Sequence, residues 1–184
     1  MESMEAMLLG FVFIGYIILR LMLGHHRTPT MYDRKQYHIY VEAVAQKNYT
    51  MVLPAIEKIL REKPRSAICW ALKAEIHVGL REYHQAILYA DKALNIDSSL
   101  FETHYNKALS YFYLGYSEEA IVACNKAIWY SREQHADAFY YKGILLLEID
   151  DIEQARYVFE KAIKLGHEKA NYAFLKLQNA FIGS

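Results

Sequence analysis

Two cysteines and eight histidines are the side chains in this 184-residue chain best able to ligate a metal or to act as nucleophile and base. Their spacing argues against both roles. Cys69 and Cys124 make neither the short step of a zinc site nor the density of a disulfide framework. They read as small apolar residues buried in a reducing compartment. His25 and His26 are adjacent, and they read as part of a linker rather than the start of a metal site. His77 has no acidic or nucleophilic partner at a spacing that implies catalysis, so it reads as a packed or solvated ring. No phosphate-binding glycine loop, HExxH or nucleophile–base pair is present. The chain therefore reads as a non-enzyme with no catalytic residue, metal or cofactor. Its 21 basic and 21 acidic residues include no basic block, which removes the electrostatic footprint of a nucleic-acid binder.

What the chain does contain is a repeated phrase. Lys92-Ala93-Leu94 returns as Lys126-Ala127-Ile128 and as Lys161-Ala162-Ile163. Ala86, Ala120 and Ala155 stand seven residues before the alanine of each triplet, and Ala74, Ala108 and Gly143 twelve before those. Every series steps by 34 and then by 35 residues. Such a period belongs to stacked helix–turn–helix units, and helices approach closely only where side chains are short. Three prolines against abundant Ala, Leu, Ile and Lys favour helices over sheets.

On these residues the chain resembles the tetratricopeptide repeat (TPR) family, with residues 67–100 as the clearest copy. The resemblance implies an all-α solenoid of helical hairpins: a degenerate hairpin over 33–66, repeats over 67–100, 101–135 and 136–169, and a capping helix over 170–184. In the degenerate copy Tyr40, Val52 and Ile59 replace the small residues, and Pro54, near the start of the second helix, is tolerable in a first turn and awkward beyond it. The extra residue of the 35-step is expected in the turn at 131–134, since loops accept insertions at little cost.

The same resemblance places binding on the concave wall made by each unit's first helix. The groove residues it implies are Glu75 and Val78, then Glu102, Tyr105, Asn106, Leu109, Phe112 and Tyr113, then Tyr140, Ile144 and Leu147. The middle of this groove is apolar and aromatic with an acidic fringe, suited to a peptide or amphipathic helix with large apolar anchors and basic flanks. Some of these side chains are alternatively packing residues. One TPR subclass grips a chaperone's C-terminal carboxylate with a basic clamp. Asn106 matches its central asparagine, but Ala71, Glu75, Asp137 and Tyr141 stand where the supporting residues belong. A co-chaperone is thereby disfavoured, because acidic residues repel a carboxylate.

Residues 6–19 are apolar, Arg20 interrupts them, and Leu21–Gly24 resumes the run. The stretch is about 18 residues, roughly 27 Å as a helix, at the short end for a bilayer span. Residues 1–24, through the apolar 6–23, are expected to be a single-pass transmembrane anchor, followed by a linker at 25–32. A secretory signal or a helix packed in the protein's own groove or on a partner are the competing readings. Arg20, Arg27, Arg34 and Lys35 follow the span while Glu2 and Glu5 precede it, which orients the repeats toward the cytoplasm. The expected function is a membrane-tethered scaffold or assembly factor that binds a protein partner. The alternative is a structural accessory subunit of a membrane complex.

Overall fold

The computed structural model describes residues 37–182, and the chain divides into two compact units, Met1–Tyr37 and His38–Ser184. The anchor and linker expected over 1–32 lie outside the described residues. Among the described residues, no helix is long and apolar enough to cross a membrane.

The second unit is all-α, with nine helices among its described residues: α1 His38–Ala45, α2 Tyr49–Glu62, α3 Ala67–Gly79, α4 Tyr83–Ile96, α5 Phe101–Leu114, α6 Ser117–Tyr130, α7 Ala136–Glu148, α8 Ile152–Lys164 and α9 Glu168–Ile182. Consecutive helices pack as antiparallel neighbours, and each first helix also touches the next (α1 with α3, α3 with α5, α5 with α7). That second set of contacts lines α3, α5 and α7 up as one wall.

The small residues of the repeated phrase make this stacking fit. Ala74, Ala86, Ala90, Ala93, Ala120, Ala127, Ala155 and Ala162 are fully buried, and Ala108 is nearly so. At Gly143 a Cβ would come within 2.5 Å of the Phe159 ring, so the unit with the largest core aromatic carries no side chain opposite it. Phe139, Leu146, Val158 and Phe159 form one core cluster with Ala170 and Leu177 of α9. Ala108, Ala120, Cys124 and Leu145 form another. Both cysteines are free and buried, and burial pushes the Cys124 thiol up to about 12.

Each hairpin turns the same way. Lys47, Arg81, Gly115 and Asp150 all have positive φ, between 60° and 78°, and they are spaced 34, 34 and 35 residues apart. At each, two backbone bonds close a Schellman cap; at the first, Asn48 N–H donates to the Ala43 carbonyl and Lys47 N–H to that of Val44. The degenerate hairpin therefore keeps the turn of its neighbours although its small residues are gone. Its core is Val52, Ile56 and Leu60, while Ile59, at the place of a buried alanine elsewhere, is half-buried. Pro54 sits inside α2 and is exposed. The link 131–135 is one residue longer than 97–100, and it turns through two successive left-handed residues, Arg132 and Glu133. The final helix starts at Glu168 rather than 170, because the His167 ring accepts the Ala170 N–H and caps it.

Candidate binding groove

A continuous belt of rings runs from the start of α4 across α5 to α7. Tyr83, at the start of α4, stacks on Tyr113 with centroids 5.0 Å apart. Tyr113 meets Phe112 edge-on, and Phe112 meets Tyr141 at 5.2 Å. Tyr141 in turn touches Tyr105 and Tyr140. Edge-to-face and offset contacts of this kind add about 0.5–1.5 kcal/mol each beyond the area buried. Burial, reinforced by a hydrogen bond to Tyr113, holds the Tyr141 phenol well above its usual range. Burial and the neighbouring Asp137 carboxylate do the same to Tyr105. Both phenols are thus neutral donors at physiological pH.

Two histidines close the belt at its ends of α7 and α9. His135 accepts the Ala138 N–H as the N-cap of α7 and lies 4.5 Å from the Tyr105 ring. His167 does the equivalent for α9 and stacks on Tyr140 at 4.3 Å. Tyr105 and Tyr140 are one repeat apart, so each first-helix tyrosine is covered by the histidine that begins the following first helix or the cap. Burial holds His135 below the usual histidine range, against the pull of Asp137 and Glu102.

The groove residues expected from sequence divide into two groups. Tyr113 is 53% exposed. Glu75, Val78, Glu102, Tyr105, Asn106, Leu109, Phe112, Tyr140, Ile144 and Leu147 are all half-buried. Tyr140, Ile144 and Leu147 pack on the α7–α8 core, and Phe112 packs on the α5–α6 core. Glu75 lies near Tyr49 at the start of α2 and raises that phenol's pKa, secondarily to burial. Tyr83, Tyr141, His135 and His167 complete the belt and were not among the residues picked from sequence. The signal available for the histidines was their place directly before a helix start. His77 is a packed ring, as expected, and has in addition an acidic partner that the sequence did not show: it is buried, its Nδ1 pairs with Glu82 across the α3–α4 turn, and its Nε2 has no hydrogen-bond partner.

Beside the belt, a cleft of about 320 Å³ is lined by Tyr105, Asp137, Tyr140, Tyr141 and the α8–α9 turn, Gly166–Lys169. Two larger depressions involve the second helices, one around His104, Lys107 and Val122, the other around Trp129 and Arg132. Among the described residues no group of three or more His, Cys, Asp or Glu is placed to hold a metal.

This architecture is that of a TPR-like helical solenoid, and the family model for the tetratricopeptide repeat matches residues 67–100 and 101–133. Over 87 residues the chain is 31% identical to small glutamine-rich tetratricopeptide repeat-containing protein 2 of Saccharomyces cerevisiae; the match covers 47% of this chain and 25% of that protein. The chain thus spans about a quarter of that relative's length. Among solved structures it is similar to YrrB, described as a TPR protein with an unusual peptide-binding site (TM-score 0.61, 26% identity, 65% of this chain and 62% of that one). It has the same fold as MamA (TM-score 0.63, 17% identity, 79% and 85% covered). It also has the fold of the first TPR of Spaghetti (RPAP3), solved bound to the HSP90 peptide SRMEEVD (TM-score 0.59, 22% identity, 63% and 93% covered).

Proposed function

We propose that the chain is a non-catalytic binding module that holds a peptide or helical segment of a protein partner along the α3–α5–α7 wall. The observation that carries this reading is the belt from Tyr83 to Tyr140, a run of rigid aromatic side chains on the one wall that successive hairpins share. Tyrosine supplies large contact area at low entropic cost and is enriched where binding energy concentrates. Two of the structural relatives are described by the peptides or peptide site they have, which supports the same use of the fold here.

The reading extends to a membrane. Residues 6–23 tether the module, the basic residues after them keep the repeats on the cytoplasmic side, and tethering raises the effective concentration of module and partner. The role is that of a scaffold or assembly factor. A stable accessory subunit of a membrane complex is the second reading, in which Trp129, Tyr157 and Tyr172, exposed on α6, α8 and α9, would be the contacts.

A photo-crosslinking amino acid at Tyr113 in the full chain, in its native membranes, tests the groove. It should give one dominant protein adduct that is absent when the same probe replaces exposed Gln85. Equal labelling from both positions overturns groove binding, and labelling from a probe at Trp129 alone favours the accessory subunit. Release of the full chain by alkaline extraction overturns the anchor. Digestion of the repeats by external protease overturns the orientation.

A further inference from the structure

We propose that the cleft between the start of α7 and the α8–α9 turn is a subsite for the guanidinium of an arginine side chain in the bound segment. This rests on the groove reading and adds the chemistry of one anchor. Three tyrosines, Tyr105, Tyr140 and Tyr141, line the cleft together with the Asp137 carboxylate. Aromatic rings attract a cation over their faces, and phenol oxygens accept its hydrogen bonds. Asp137 is held in place: the Ala170 N–H donates to His167 Nδ1 at 3.0 Å, so that nitrogen carries no proton. The proton sits on Nε2, which donates to Asp137 Oδ1 at 3.1 Å. A neutral histidine thus orients the carboxylate without cancelling its charge, and the Asp137 side chain remains 56% exposed.

The remaining lining residues leave that sign unchanged. Glu168 and Lys169 offset each other, which leaves Asp137 as the net charge of the cleft. Glu102 occupies the place of Asp137 one repeat earlier and acts on the same His135 ring. An anionic terminus is repelled here. Between the cationic side chains, arginine suits the site better than lysine. Its planar fork pairs with a fixed carboxylate, it is more weakly hydrated, and it stacks on rings.

The test is a titration of the isotope-labelled full chain in detergent micelles, followed by amide NMR shifts. The probes are Nα-acetyl-arginine amide, its neutral isostere Nα-acetyl-citrulline amide, and the apolar peptide acetyl-Leu-Phe-Leu-amide. The arginine probe should give saturable shifts at Asp137, Tyr140, His167 and Lys169, with at least tenfold weaker binding for citrulline. Asp137→Asn keeps an acceptor for His167 and removes the charge; it should lose at least tenfold in arginine affinity with an unchanged thermal melt. Equal binding of arginine and citrulline, or of wild type and Asp137→Asn, overturns the subsite. The apolar peptide separates the two readings. Shifts at Leu109, Phe112 and Tyr113 that survive Asp137→Asn, with no arginine response, leave the groove standing and the subsite refuted. An arginine response at the four named residues without any apolar-peptide response supports the subsite and removes the apolar anchors.

Discussion

The ring of His167 lies flat on that of Tyr140, 4.3 Å between centroids and 21° from parallel, while its two nitrogens join the α9 backbone to the Asp137 side chain of α7. One residue therefore caps a helix, covers a groove tyrosine and orients a groove carboxylate. His167→Ala should cost about 1 kcal/mol, the usual price of a lost N-cap. The loss should appear as faster hydrogen exchange in α9, since a terminal element opens locally. His167→Asn restores the cap acceptor and should recover α9 protection, but not the stacking on Tyr140.

The four left-handed turn residues give a test with no change in contacts. Arg81 and Asp150 hold φ of 62°, a conformation that costs a non-glycine residue roughly 1–2 kcal/mol. Glycine removes that cost and loses part of the gain to the entropy of the unfolded chain. Arg81→Gly and Asp150→Gly should each stabilise by about 0.5–1 kcal/mol in urea unfolding. Gly115→Ala should destabilise by about 1 kcal/mol. A Cβ there meets nothing within 4 Å, so that loss would report the backbone alone.

A repeated ion pair breaks off before the last unit. Lys73 on α3 pairs with Glu57 on α2, and Lys107 on α5 pairs with Asp91 on α4. Lys73 holds the Glu57 carboxyl below its usual range. One repeat on, the lysine is Lys142 and the acid is replaced by Asn125. Burial lowers the pKa of Lys142. Asn125→Asp should complete the series, raise the Lys142 pKa and stabilise by about 0.5–1 kcal/mol at low salt, with the gain shrinking in high salt.

The repeat architecture was legible because it is written in small residues at a fixed period: Ala74, Ala86 and Ala93 are fully buried where the helices meet. The inserted residue of the 35-step could also be located, since only a loop absorbs it. Sequence register gives the helix face of a side chain and not its role. Sequence register put Tyr105 and Tyr113 on one wall, yet Tyr105 is half-buried beneath His135 and Tyr113 is open. Register does not show which neighbour covers a side chain. The pairing of His77 with Glu82 was missed for a related reason. Five residues is not a helical spacing, and it closes only because the Schellman turn at Arg81 folds Glu82 back beneath α3.

Acid should loosen the repeats through two histidines, His104 buried and His135 half-buried. His104 donates from Nε2 to the Ser98 carbonyl, and burial lowers its pKa, with Lys126 and Lys107 adding to the effect. His135 is lowered chiefly by burial as well. A lowered folded pKa means that the unfolded chain binds the proton more readily. The stabilisation is therefore complete above the unfolded histidine value of about 6.5 and is lost as pH falls below it. Thermal melts from pH 7.5 down to 5.5 should show a falling midpoint, and His104→Gln should flatten part of that slope.

The division within the groove predicts two different phenotypes from two tyrosines on one helix. Tyr113 is half in water, stacks on Tyr83 and hydrogen-bonds Tyr141, so Tyr113→Ala should lower the melt by less than a core truncation while weakening partner capture severalfold or more, as loss of an aromatic anchor does. Tyr105 lies between His135 and Tyr141 with its phenol desolvated. Tyr105→Ala opens a cavity there and should cost about 2–4 kcal/mol, near the range for large core truncations. Capture by Tyr105→Ala should then recover in part on cooling, where the fold is restored but one wall of the cleft beside Asp137 is not, whereas capture by Tyr113→Ala should not recover at all. Measuring both variants for unfolding and for crosslinking from a probe at Leu109 separates the two losses. If Tyr113→Ala unfolds as readily as Tyr105→Ala, the outer ring is core, and the wall has no free aromatic anchor on α5 to offer a partner.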